Sequence, residues 1–257
     1  MRFLSLLLTG LLLSGTALAD VIQRDVTLPD GLGQGVLFMD DDLDKVTAGV
    51  IVVHEWWGMN DYVRNRARML AKEGYVAFTV DMYGNNKVAN HPKDAKTFME
   101  QALAEPELMT RRFNAAKAIL RDQQYVDDAR LFAVGYCFGG GVVLEQARKG
   151  NDLAGVASFH GSLGTHHRAA AGDIKARVLV ATGQADPMSP PEQVSALVQE
   201  LTAAGARFEL LSYPGAKHGF TNPKADENGK RFDLPLAYDK EADLSSWSAL
   251  LDFIGAP

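Results

Sequence analysis

Apolar and polar positions along the chain fall into two alternating kinds of segment. Short, mostly apolar runs occupy residues 49–53, 75–80, 131–135, 155–159, 178–182 and 208–212. Runs of this length, rich in β-branched residues, predict strands buried on both faces. Between them lie longer stretches with apolar residues three and four apart, which predict helices over 61–73, 106–121 and 191–204. In the second of these, Leu108, Phe113, Ala116, Ile119 and Leu120 share one side. A further helix is expected to start near Gly139, and another to span about 236–253. Two leading strands, 21–28 and 35–40, precede the acidic turn Asp40, Asp41, Asp42.

Strands alternating with amphipathic helices predict an α/β fold, a mostly parallel central sheet with helices on both faces. No Pro/Ser-rich linker divides the chain, so residues 20–257 read as one domain. In such sheets ligands bind at the carboxyl ends of the strands. The residues to watch are therefore His54, Glu55, Trp56, Asp81, Cys137, His160, Asp186 and His218.

The first residues follow a different pattern. Arg2 is followed by the apolar run 3–13 and then by Ala17-Leu18-Ala19. The run is shorter than the ~20 residues of a membrane span, and a small-residue end of this kind marks a cleavable signal peptide. Residues 1–19 are expected to direct export, to the periplasm or outside, with no membrane attachment after cleavage. The remaining chain carries 25 basic and 32 acidic residues, a formal charge of −7. That charge excludes steering toward nucleic acid or an anionic membrane. A single cysteine excludes an intramolecular disulfide, so an exported fold must rest on its core.

That cysteine sits in Gly135-Tyr136-Cys137-Phe138-Gly139-Gly140, after a predicted strand and before a predicted helix. A lone cysteine is usually a small buried hydrophobe. Here the flanking glycines point elsewhere. A nucleophile on a sharp strand-to-helix turn brings the positions two before and two after it together, and only small residues fit there. The positive end of the helix dipole favours a thiolate at such a place. Asp186 follows the strand 178–182 and, taken alone, reads as a turn aspartate before Pro187. His218 lies in a glycine-framed loop after the strand 208–212. Together the three give the chain order nucleophile, acid, histidine, each at a strand's carboxyl end. His54-Glu55-Trp56-Trp57-Gly58 lacks the second histidine of a zinc motif, and His166-His167 lacks partners at metal spacing. No phosphate loop is present. Neither a metal nor a cofactor is expected.

These residues resemble the dienelactone hydrolase family over about residues 50–220. The resemblance rests on His-Glu-Trp-Trp-Gly at 54–58, Gly-Tyr-Val-Ala-Phe-Thr-Val-Asp-Met-Tyr-Gly at 74–84, the Gly-Tyr-Cys-Phe-Gly-Gly turn, Asp186-Pro187 and Lys217-His218-Gly219-Phe220. It implies an α/β-hydrolase fold and a triad of Cys137, His218 and Asp186. It gives Glu55 the task of helping the thiol ionise, and makes the backbone N–H groups of Trp56 and Phe138 the oxyanion hole. Two arginines that grip a substrate carboxylate in the family are replaced here by Asn85 and Asn222, and asparagine lacks the charged fork. Trp57 and Tyr83 are expected to wall the pocket. The expected function is hydrolysis of a small-molecule carboxylic ester or lactone by a monomer. A redox sensor or ligand-binding protein on a hydrolase scaffold, and a thiol peptidase or acyltransferase, remain the alternatives.

Overall fold

The computed structural model describes residues 20–256, so the expected signal peptide at 1–19 lies outside the described residues. Strands β1 (Val21–Thr27) and β2 (Gln34–Asp40) form a hairpin at one edge of an eight-stranded sheet. Strand β3 (Thr47–Val53) leads through α1 (Asp61–Lys72) to β4 (Val76–Val80). Helices α2 (Pro92–Leu103) and α3 (Pro106–Arg121) precede β5 (Val126–Tyr136), which runs into α4 (Phe138–Arg148). Strand β6 (Gly155–Phe159), strand β7 (Arg177–Gly183), α5 (Pro191–Ala203) and β8 (Phe208–Tyr213) follow. Helices α6 (Ala225–Phe232) and α7 (Lys240–Gly255) complete the domain.

The sheet order is β1-β2-β4-β3-β5-β6-β7-β8. Only the β1–β2 and β2–β4 pairings are antiparallel. All seven residues of β3 are buried, as an unbroken apolar run requires in a sheet covered on both sides. Alternate residues of β3 face opposite layers. Ile51 and Val53 join Phe113, Leu120, Val143 and Leu201 from α3, α4 and α5. Val50 and Val52 join Ala67, Leu70, Leu250 and Phe253 from α1 and α7. Each of the larger side chains contributes roughly 1.5–3 kcal/mol by leaving water.

Three expectations shift in the structure. Strand β5 starts at Val126 rather than 131; Asp128 and Ala129 are exposed there and interrupt the apolar run. Helices α2 and α6 are additions. Each buries only two residues, too few for a readable stripe. Helix α7 starts at Lys240 rather than 236. Residues 236 and 237 are engaged elsewhere: Leu236 bridges to His218, and the Ala237 N–H donates to the His218 carbonyl at 3.2 Å. Asp239 then caps the helix, its side chain accepting from the N–H groups of Glu241 and Ala242.

Candidate active site

Cys137 stands between β5 and α4 with φ 53° and ψ −115°, a backbone that L-residues rarely adopt. The glycines around it have a steric reason. A Cβ on Gly135 would lie 2.0 Å from the Gly139 carbonyl oxygen, and one on Gly139 would lie 2.4 Å from the carbonyl oxygen of Val53. No side chain fits either place. The turn leaves the thiol half-buried at the carboxyl end of the sheet. It also opens the first turn of α4. Gly139 N–H is taken by the His54 carbonyl at 3.1 Å, while Gly140 and Gly141 donate to the carbonyl of Cys137. Among the described residues the N–H groups of Phe138 and Trp56 have no acceptor. These are the two amides expected to hold an oxyanion.

Asp186 and His218 meet although they lie on different loops. His218 Nδ1–H donates to Asp186 Oδ2 at 2.8 Å, and both side chains are nearly inaccessible. Asp186 also shapes its own turn, its Oδ1 accepting the Met188 N–H at 2.8 Å. The far nitrogen, Nε2, is buried without a hydrogen-bond partner. Burial pushes the imidazole pKa down, but the neighbouring Cys137 side chain and Asp186 outweigh it and raise the pKa to about 10. The sulfur is thus close enough to favour the imidazolium strongly, without yet making an aligned hydrogen bond to it.

Glu55 is buried on the same side, 4% exposed. Burial raises its pKa to about 7, against smaller opposing effects from Asn222, His218 and Arg66. Asn222 Nδ2 donates to Glu55 Oε2 at 2.6 Å, and its own Oδ1 accepts the Lys224 N–H at 2.9 Å. That second bond fixes which end of the amide faces Glu55. A carboxyl whose pKa is raised by folding binds its proton more tightly in the native state. Its contribution to stability is complete below the unfolded value near 4.5 and is lost as the pH rises through about 7. Glu55→Gln is therefore expected to match wild type near pH 4 and to be more stable by about 2–3 kcal/mol near pH 8. Thermal unfolding at the two pH values checks this; an equal difference at both would remove the argument.

The remaining strand-end residues organise the loops. Asp81 accepts the N–H groups of Tyr83, Gly84 and Asn86 and so folds the turn that follows β4. Asn85 sits exposed in that turn with φ 57°. Tyr83 is buried, and its hydroxyl donates to the Trp56 carbonyl at 3.0 Å. His160 is fully buried beside His218, ring centroids 5.3 Å apart, and its Nε2 meets the Thr221 hydroxyl at 2.7 Å. Burial, with the charges of His218 and Arg66, keeps the His160 imidazole neutral.

Arg66 went unnoticed in the sequence. It lies on the buried stripe of α1, surrounded by the rings of Tyr62, Tyr136 and Trp247. It donates to the Thr221 carbonyl and to Asp243 of α7. The loop carrying His218 and Asn222 is thereby tied to α1 and α7. A cation among apolar positions three and four apart was the available signal.

A groove of about 600 Å³ adjoins this region, bordered by Trp57, Tyr62, Asn90, Asn222, Lys224 and Arg231. Its size suits a small ligand. Trp57 and Asn222 reach it; Tyr83 and Asn85 do not. Cys137 is not on its wall; Asn222, which is, bonds Glu55 behind it. Among the described residues the one trio of acid or histidine side chains close enough to share a metal ion is Asp40, Asp41 and Asp42. Because β2 runs antiparallel to β4, that trio lies at the end of the sheet away from Cys137.

A parallel sheet with a strained strand-to-helix turn, and with an Asp–His pair on the loops beyond it, defines the α/β-hydrolase class. The profile of the Dienelactone hydrolase family matches residues 34–256, and the chain belongs to that family and is a hydrolase. A candidate carboxymethylenebutenolidase of Salmonella typhimurium is 30% identical over 213 residues, covering 79% of this chain and 75% of its own. Protein usf of Aquifex pyrophilus is 27% identical over 183 residues, covering 70% of this chain and 79% of its own. Among solved structures, a dienelactone hydrolase-like promiscuous phosphotriesterase from metagenomic libraries is 32% identical. It superposes with a TM-score of 0.83 and covers 91% of this chain and 97% of its own.

Proposed function

We propose that the protein hydrolyses carboxylic esters or lactones through a Cys137–His218–Asp186 triad. The observation that supports this most is the Asp186-bound His218, whose free Nε2 is buried next to the half-buried thiol. The Cys137 thiolate attacks the carbonyl carbon, and the N–H groups of Trp56 and Phe138 hold the resulting oxyanion. The tetrahedral adduct collapses to a thioester, and the His218 imidazolium gives its proton to the departing alkoxide. Neutral His218 then takes a proton from water as that water attacks the thioester. The acid leaves, and the thiolate–imidazolium pair is restored. Glu55, near its midpoint at neutral pH, offers a second proton acceptor near His218. With Asn222 in place of an arginine on the groove wall, the preferred substrate is uncharged near its scissile carbonyl. Residues 1–19 make it an exported enzyme.

A panel tests the reading: a p-nitrophenyl ester, a neutral lactone, an anilide and a phosphotriester, with mass analysis of the protein during turnover. Ester or lactone turnover with an acyl group on Cys137 is expected. Turnover of the anilide alone would transfer the assignment to a peptidase. The phosphotriester is included because one similar structure carries that activity in its name; its turnover without ester turnover would displace the proposal.

A further inference from the structure

His54 follows β3 and is fully buried. Its ring nitrogens have two different partners. Nε2 lies 3.1 Å from the Met82 N–H, and Nδ1 lies 2.6 Å from the Glu55 carbonyl oxygen. An N–H only donates and a carbonyl only accepts. Both contacts are satisfied by one form alone, the neutral imidazole with its proton on Nδ1. Burial pushes the His54 pKa down and favours that neutral form, against the nearby Asp81 charge and the Glu55 carbonyl.

The Glu55 carbonyl belongs to the same peptide unit as the Trp56 N–H. The unit is planar, so fixing its oxygen fixes the direction of its hydrogen. Gly58 N–H adds a second donor to that oxygen at 3.1 Å. A carbonyl that accepts hydrogen bonds also polarises its amide and strengthens the N–H as a donor. The next peptide unit is held as well, by the Tyr83 hydroxyl on the Trp56 carbonyl. His54 also touches the residue that carries the other amide. Its carbonyl takes the Gly139 N–H, and its ring stacks on Phe138 with centroids 5.8 Å apart.

We propose that His54 is a positioning residue for the oxyanion hole, its Nδ1–H holding the Glu55–Trp56 peptide so that the Trp56 N–H points at the developing oxyanion. The inference rests on the hydrolytic reading above and adds a residue to it. The charge of His54 takes no part; its value lies in one fixed tautomer that donates at one end and accepts at the other.

The test compares His54→Leu, which removes both bonds, with His54→Gln, which keeps one donor and one acceptor. With p-nitrophenyl acetate, His54→Leu is expected to lose about 10²-fold in kcat with KM changed less than about threefold. His54→Gln is expected to recover at least about tenfold of that loss. Affinity for a trifluoromethyl ketone, whose thiol adduct places an alkoxide in the hole, should fall in step with kcat. Alkylation of Cys137 by iodoacetamide needs no oxyanion hole and should stay within about threefold of wild type. Unchanged ketone affinity in His54→Leu, or alkylation that falls as far as kcat, overturns the proposal. Should His54→Leu fail to fold, the 15N spectrum of the wild-type imidazoles decides: an Nε2-protonated or charged His54 between pH 6 and 8 also overturns it. Full ester turnover by Cys137→Ala would instead remove the Cys137 triad on which the reading rests, whatever His54 does.

Discussion

Cys137→Ala is expected to hydrolyse a p-nitrophenyl ester at least about 10⁴-fold more slowly than wild type, with its fold and thermal midpoint nearly unchanged. The thiol is half-buried, so its loss opens little cavity. The strained backbone at residue 137 is held by neighbours that remain: the glycines at 135 and 139, and the Cys137 N–H on the Phe159 carbonyl at 3.0 Å. Chemistry and stability should therefore separate cleanly at this position. Asp186→Asn and His218→Ala should each act on the same step, and combining either with Cys137→Ala should add little, because the three groups work as one unit. Stopped-flow hydrolysis and calorimetry on the same samples check both halves. Residual activity within about tenfold of wild type would end the nucleophile assignment.

The second large effect concerns a residue away from the thiol. Arg66→Leu is expected to destabilise the protein by about 3–5 kcal/mol, since it leaves the Asp243 carboxylate buried without its cation. Their side chains are 5% and 11% exposed, so water replaces little of the lost partner. The Thr221 carbonyl loses a charged donor at the same time. Adding Asp243→Leu should return part of the stability, because the double variant contains no unpaired charge. Activity should not return with it, because the Thr221 carbonyl on the His218 loop still lacks its Arg66 donor. Denaturant unfolding of the two singles and the double gives the coupling energy directly. Additive losses would mean that the pair contributes nothing as a pair.

The parallel core was legible because β3, β4, β6 and β7 are buried on both faces and leave unbroken apolar runs. The elbow was legible for a different reason: steric crowding at a turn reduces to glycines at fixed offsets from Cys137. The site resisted reading where contacts span long separations. Asn222 could be seen as an absent arginine, yet its bond to Glu55 joins residues 167 positions apart and has no local pattern. Asn85 illustrates the reverse. It stands where the resemblance places a carboxylate-gripping arginine, and the structure shows it exposed in a left-handed turn beside Asn86 and Gly84. The mispositioned start of α7 has the same origin, since Leu236 and Ala237 answer to His218 rather than to helical periodicity. The antiparallel edge strands, too, are ordered by partners that local alternation does not name.

The tie between Arg66, Thr221 and Asp243 sets an order of events during synthesis. Residue 137 emerges first, then 218, and 243 after both. A growing chain thus carries its thiol and its histidine before it possesses the carboxylate that seals Arg66 against the loop. Completion of the centre waits on α7, an element that supplies none of the reacting atoms. A chain interrupted before residue 243 would hold every group named in the chemistry and still lack the carboxylate that pairs with Arg66.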